Sequence, residues 1–255
     1  MKTKPLTIFS LIVAAAGHSF AAPSDNIYSS GHADIGVALE DGTDFHLHLH
    51  AHDFGPPAVI NGSALTAEEE YDAGDVTIVV PLATQASAPS NSAFNSATGV
   101  ASGNSIWVLP QGNDAGVPFL GIGTEELDSN DWSTDVTFKL RTVVSPTGNG
   151  DFSIYQGDGV GGFNFFFSTA DASLTENGDN TLVAAAGGHD HFNYAFSESG
   201  TWSIQLTASA THNTLGALSD TQIFTFNVVP EPSTYAAIFG LVALGLGLVR
   251  RRTKK

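Results

Sequence analysis

Phe45-His46-Leu47-His48-Leu49-His50-Ala51-His52-Asp53 decides how this chain is read. Successive side chains of a β-strand point to opposite faces. The spacing therefore predicts one face carrying His46, His48, His50 and His52 and another carrying Phe45, Leu47, Leu49 and Ala51. A helix would turn the same residues by about 100° per step and leave no common surface. Imidazoles two apart on a strand stand about 6.5–7 Å apart at Cα and can lean onto one metal ion at about 2.0–2.1 Å. A single exposed histidine is an ordinary polar side chain. Four in strict alternation, among nine in the whole chain, read as half of a metal site, or of two.

Ahead of this stretch, Ala33 to Leu39 predicts a strand and Glu40-Asp41-Gly42-Thr43 a tight turn, so this strand and the histidine strand form a hairpin, with His32 just before the first strand. Pro56-Pro57 ends the second strand, because proline cannot continue a ladder. Leu65 to Asp72 suggests a short helical turn with Glu68-Glu69-Glu70 as a solvated face, and Val76 to Val80 a buried strand. Residues 83–104, rich in Ala, Ser and Asn, read as a low-complexity loop around Phe94, followed by a strand at Ile106 to Leu109. Val117 to Leu127 reads as irregular. Asp128, Asp131 and Asp135 beyond it offer oxygens for calcium but lack EF-hand spacing.

From Val136 the pattern is that of an antiparallel sandwich: Val136 to Val144, Phe152 to Gln156, Phe163 to Ser168, Phe192 to Phe196, Trp202 to Ala208 and Gln222 to Val229 are short strands bounded by Gly, Asn, Asp and Pro. A second histidine constellation, Gly187-Gly188-His189-Asp190-His191, opens the fourth of these. His189 and His191 share a face, and Asp190 can serve as a carboxylate ligand or hold an imidazole in its tautomer. A hairpin at Ser197-Glu198-Ser199-Gly200 would bring His212, past the next strand, to the same sheet edge. The two clusters either share one site or hold separate ones.

The composition agrees with an all-β fold: 17 Phe against one Met, 27 Gly, and no cysteine. Without cysteine there is no disulfide, thiol nucleophile or thiolate site, so a transition-metal centre must use nitrogen and oxygen ligands. Between Asp25 and Val229, 25 Asp and Glu face only Lys139 and Arg141, a formal net of −23. Such a surface repels phosphates and excludes nucleic acid as a partner, while it concentrates cations.

Residues 1–21 read as a secretory signal: Lys2 and Lys4, the apolar Leu6 to Ala16, then Ser19-Phe20-Ala21 as a cleavage site, with His18 leaving alongside it. The expected ectodomain is an antiparallel, Ig-like β-sandwich over 22–229, with a sub-boundary allowed near 130. Pro230-Glu231-Pro232 follows, then the apolar Tyr235 to Val249 and Arg250-Arg251-Arg252. Those fifteen residues span about 23 Å as a helix, short for a bilayer unless the arginines snorkel, and read as a single C-terminal transmembrane-like helix at the inner membrane. The basic end stays cytoplasmic, so the ectodomain faces outward.

The tail 230–255 resembles a PEP-CTERM sorting signal in its Pro-Glu-Pro tripeptide, apolar run and arginine cluster. The resemblance implies recognition by an exosortase and delivery to the surface or extracellular matrix of a Gram-negative bacterium. The ectodomain is similar to the choice-of-anchor M family and to PEP-CTERM proteins controlled by a zinc-uptake repressor. The residues carrying this are Gly31 to Val37, Glu40-Asp41-Gly42, His46 to Asp53, Pro118 to Leu127 and Gly188 to Ala210. His189 to Phe196 and Ser199 to Ile204 follow an actinobacterial surface-repeat pattern, with Ser199 for its Pro and Trp202 for its Tyr. The resemblance implies zinc capture or sequestration outside the membrane, with a metal-uptake transporter as a partner.

The expected function is binding of a divalent metal, most simply zinc, by His46, His48, His50, His52, His189, His191, His212, His32 and Asp190. The competing expectation is a structural or adhesive matrix module in which metal only stiffens the fold. Catalysis is not expected: His48-x-His50-x-His52-Asp53 departs from the metallo-hydrolase order His-x-His-x-Asp-His, and no nucleophile elbow accompanies it.

Overall fold

One long strand, β1 (Asn26–Glu40), organises the fold, and Gly31 divides it. In the computed structural model, which describes residues 24–231, Gly31 has φ +84° and packs so closely that a Cβ would lie 1.9 Å from the Pro57 carbonyl oxygen. Before it, β1 pairs in parallel with β6 (Val76–Val80). After it, β1 lies between β2 (Asp44–Ala51), antiparallel, and β9 (Pro118–Gly123), parallel.

The remaining strands are β3 (Val59–Ile60), β4 (Ser63–Ala64), β5 (Glu69–Asp72), β7 (Gln85–Ser87), β8 (Ser105–Leu109), β10 (Val136–Val144), β11 (Phe152–Gly157), β12 (Phe163–Ser168), β13 (Thr181–Ala184), β14 (His189–His191), β15 (Asn193–Phe196), β16 (Gly200–His212) and β17 (Gly216–Val228), with one α-helix, α1 (Ser92–Thr98), among the described residues. The larger sheet runs β13-β10-β16-β17-β6-β1-β2-β5, with β9 and then β14 branching from β1. The smaller runs β12-β11-β15-β8-β7. They stack like a sandwich over a shared core containing Phe152, Tyr194, Phe196, Trp202 and Phe226, all at most 1% exposed.

The β1–β2 hairpin forms as the pattern predicts, in a register from Ala33↔Ala51 to Glu40↔Asp44. Asp41 and Gly42 adopt positive φ in its turn. The all-β class also holds, but the arrangement is mixed rather than antiparallel, because β1–β6, β1–β9 and β17–β6 are parallel pairs.

Four local expectations are corrected. Glu69–Asp72 is a strand, because the open edge of β2 needs a ladder partner and Tyr71, opposite Leu49, packs on the core; edge pairing overrides the helix propensity of the glutamates. Residues 83–104 hold β7 and α1, whose Asn91 cap accepts from the Phe94 N–H while Phe94 anchors a second, smaller core. The segment read as irregular holds β9, whose Leu120 and Ile122 are buried while Phe119, Gly121 and Gly123 take the other face. Ser197 to Gly200 forms no hairpin: β15 belongs to the smaller sheet and β16 to the larger, so this segment crosses between layers.

Among the described residues no helix is long and apolar enough to cross a membrane. The expected signal at 1–21 and the apolar run Tyr235 to Val249, with Pro232 and Arg250 to Arg252, lie outside the described residues.

Candidate metal centre

Cross-strand pairing places one set of side chains on a single face of β5-β2-β1-β9-β14. Asp34 lies opposite His50 on one side and Gly121 on the other; His191 is opposite Gly121, and His189 opposite Gly123. Gly36 faces His48 and Gly123. The reverse face carries Ile35, Val37, Leu47, Leu49, Leu120 and Ile122, all at most 1% exposed. That apolar burial fixes the strand register, since a slip by one residue would turn the whole polar face into the core.

Three glycines clear the centre of the polar face. A Cβ on Gly121 would lie 1.9 Å from Asp34 Oδ1, one on Gly123 3.1 Å from Asp34 Cβ, and one on Gly36 3.4 Å from His48 Nε2. Imidazoles and carboxylates lean into the space so left. His32, Asp34, His48, His50 and His52 are all buried there. The two histidine clusters meet: the His32 and His191 ring centroids are 5.0 Å apart, His32 and His52 stack at 4.2 Å, and His50 and His52 lie 4.3 Å apart.

The carboxylates that meet these rings are Asp34, Glu68, Glu125 and Glu126. Asp34 Oδ2 is 2.8 Å from His52 Nε2 and 3.4 Å from His32 Nε2. Glu126 Oε1 is 3.1 Å from both His48 Nε2 and His50 Nδ1. Glu68 faces the far nitrogens, at 3.4 Å from His52 Nδ1 and 3.7 Å from His50 Nε2, and Glu125 Oε2 is 2.9 Å from His189 Nδ1. Four sets of donor atoms converge to within 4.8 Å of one another: His32 with His189 and His191; His32 with Asp34 and His52; His48 with His50 and Glu126; and His50 with His52 and Glu68.

Other predicted residues stand apart. His46 lies on the rim, 3.0 Å from Asp72. His212 Nδ1 accepts the Thr214 and Leu215 N–H groups at 3.2 Å, and its ring meets Trp132 edge-on. The Asp190 carboxylate accepts the His191 N–H at 2.8 Å. Asp34, Glu125 and Glu126 are not among the expected ligands, although His32-x-Asp34-x-Gly36 alternates as the histidine strand does, and Glu68 turns to His50 and His52 rather than standing on a solvated face.

The residues present fit a bound cation. A neutral imidazole carries one N–H, yet both ring nitrogens of His50 and of His52 face carboxylates. Within each ring, then, one nitrogen lone pair meets an anion unless a proton or a metal ion lies between. His32 Nε2, Asp34 Oδ1 and both nitrogens of His191 are buried without a hydrogen-bond partner; the 3.4 Å His32–Asp34 approach is too poorly aligned to count as one. Buried polar atoms left so are costly and call for a reason. Imidazole and carboxylate donors suit zinc and its first-row neighbours.

The electrostatics follow from the same contacts. Burial alone would raise Asp34, but His32 and His52 hold it well below the usual carboxylate range. Glu126, likewise opposed by burial, is drawn down to about 2 by His48 and His50. The hydrogen bond to Glu126 raises His50; His52 rises because Asp34 overcomes its burial, whereas burial pushes His191 down to about 4. In metal-free protein these shifts oppose one another about the ordinary histidine value of 6.5. As pH falls below it, the unfolded chain protonates at His191 before the folded one does, and stability falls. As pH rises above it, the extra stability from protonated His50 and His52 is lost. Glu126, drawn from 4.5 to about 2, gives way only at still lower pH. Chelated protein melted from about pH 4.5 to about pH 8.5 is expected to show maximal Tm near about pH 6.5. A Tm rising steadily across that range would contradict the assignments.

At the other end of the described residues, Trp107 donates from Nε1 to the Val229 carbonyl at 3.1 Å, and Glu231 accepts from Gln85 and Ser105, which holds Pro230-Glu231 against β7 and β8. Residues 228–252 match the PEP-CTERM protein-sorting motif. The PEP-CTERM motif implies an exported protein recognised by an exosortase and processed at the membrane. No curated protein and no solved structure matches the chain.

Proposed function

We propose that this is an exported, non-catalytic protein that captures or sequesters a divalent transition metal, zinc before others, on the histidine face of β5-β2-β1-β9-β14. The observation that carries the reading is the meeting of both histidine clusters around buried, poorly satisfied donors. The PEP-CTERM tail and the strongly acidic ectodomain support a role outside the cell, where the surface charge draws cations toward the site. The resemblance to choice-of-anchor M proteins and to those under a zinc-uptake repressor supports zinc, a cell-surface or matrix location in a Gram-negative bacterium, and transfer to a metal-uptake transporter.

A structural matrix module is the second reading. It is favoured by the spread of the donors over β1, β2, β14 and the loop after β9, which lets a bound ion tie distant segments of the chain together. Calorimetry with zinc distinguishes the candidate ligands from ordinary surface histidines. Because protonated imidazole cannot ligate, affinity is expected to fall at least about tenfold per pH unit below about pH 6.5. It is also expected to collapse in His50→Ala/His52→Ala and in His32→Ala/His48→Ala, each of which removes donors from both of the convergent sets around Asp34 and Glu126. Equal affinity at neutral and mildly acidic pH, or in both double variants, would refute histidine ligation.

A further inference from the structure

We propose that the histidine face holds two divalent ions in two seats that share no ligand, with Glu68 as the carboxylate that orients a histidine of each. The inference rests on the metal-binding reading above. The inner seat is His32, Asp34 and His52; the outer seat is His48, His50 and Glu126.

The assignment comes from counting ring nitrogens. His52 presents Nε2 to Asp34, so its Nδ1 is left facing Glu68 Oε1 at 3.4 Å. His50 presents Nδ1 to Glu126, so its Nε2 is left facing Glu68 Oε2 at 3.7 Å. His48 presents Nε2 to Glu126, and its Nδ1 lies 3.4 Å from the His46 carbonyl oxygen, an acceptor that only an N–H can meet. A ligating neutral imidazole binds metal through one nitrogen and donates from the other, and a carboxylate or carbonyl commonly receives that N–H. With one ion in each seat, His48 donates to the His46 carbonyl and His52 to Glu68 Oε1, while the remaining N–H of His50 is turned toward Glu68 Oε2 at 3.7 Å.

The fourth convergent set, His50 with His52 and Glu68, is therefore not a third seat. Filling it beside the other two would require both imidazoles to lose their remaining proton. The His189–His191 pair flanks the inner seat through His32, with which it forms a donor set of its own.

The seats differ in access. Asp34 is 1% exposed and His52 1%, whereas the Glu126 side chain is 23% exposed. The outer ion is expected to exchange quickly with solvent and the inner one slowly. The orphaned Asp34 Oδ1 and His32 Nε2 belong to the inner seat, which marks it as the one whose buried polar atoms most need a cation.

The test is zinc stoichiometry of the full chain by native mass spectrometry, with the kinetics of zinc release to a chromogenic chelator. Wild-type protein is expected to carry two zinc ions and release them in two phases. Glu126→Gln should carry one and lose the fast phase; Asp34→Asn should carry one and lose the slow phase. His32→Gln supplies the inner-seat reading if Asp34→Asn does not fold. Glu68→Gln should keep two ions while binding both about 10–100-fold more weakly, as loss of an orienting carboxylate does. One ion in the wild type, or two ions lost together in each seat variant, would overturn the two-seat arrangement and leave metal binding intact. No bound zinc at all would overturn both.

Discussion

Zinc is expected to raise the melting temperature of this protein strongly, and to raise it more as pH increases. A ligand that binds only the folded state at a thousandfold excess over its Kd stabilises by about 4 kcal/mol. For a domain of roughly 200 residues that corresponds to about 8–16 °C. The pH dependence follows from competition for the same nitrogens. Protons bound at His50 and His52 support the metal-free fold, and zinc must displace them. From about pH 6.5 to about pH 8 the metal-free Tm should therefore fall while the zinc-induced shift grows. Differential scanning fluorimetry with and without chelator measures both. A zinc shift that was constant across that interval would mean the ion sits on surface carboxylates and not on the imidazoles.

Gly121→Ala carries the second large effect. The added Cβ would fall 1.9 Å from Asp34 Oδ1 and 2.9 Å from the Asp190 carbonyl oxygen. The first contact can be relieved only by moving the inner carboxylate, and the second involves the backbone of β14. Overpacking of this kind costs about 1–3 kcal/mol. It should also displace Asp34 from His32 and His52, so slowly exchanging zinc should be lost. Gly74→Ala is the control, because a Cβ there meets nothing within 4 Å. If Gly121→Ala kept both the Tm and the zinc of Gly74→Ala, the cleared centre of the sheet would have no part in metal binding.

Legibility in the sequence followed the local physics. The β1–β2 hairpin, the shared face of the histidines and most strands after Val136 rest on period-two alternation and turn residues, which are visible in a single segment. β9 was hidden because the positions that would have shown alternation are Gly121 and Gly123. Glycine is a poor strand former, and here it is required by the approach of Asp34 from the neighbouring strand. The glutamates at 68–70 favour a helix locally, and only the unpaired edge of β2 turns their C-terminal part into a ladder. Asp190 stood next to two histidines in sequence, but neighbours on a strand face opposite ways, and its carboxylate turns to the His191 N–H. Glu126 is 78 residues from His48 and lies past β9, so the parallel placement of β9 beside β1 had to be known first, whereas Asp34 stands inside the predicted hairpin, opposite His50.

Anomalous diffraction at the zinc edge, from crystals of the full chain grown with zinc, gives the most direct answer. The expected result is a peak about 2.0–2.2 Å from imidazole nitrogens of His32 and His52 and an oxygen of Asp34, the distances zinc takes to such ligands. Zinc bound only at exposed carboxylates, with the His32–Asp34–His52 group bare, would contradict the assignment of this face as a metal centre.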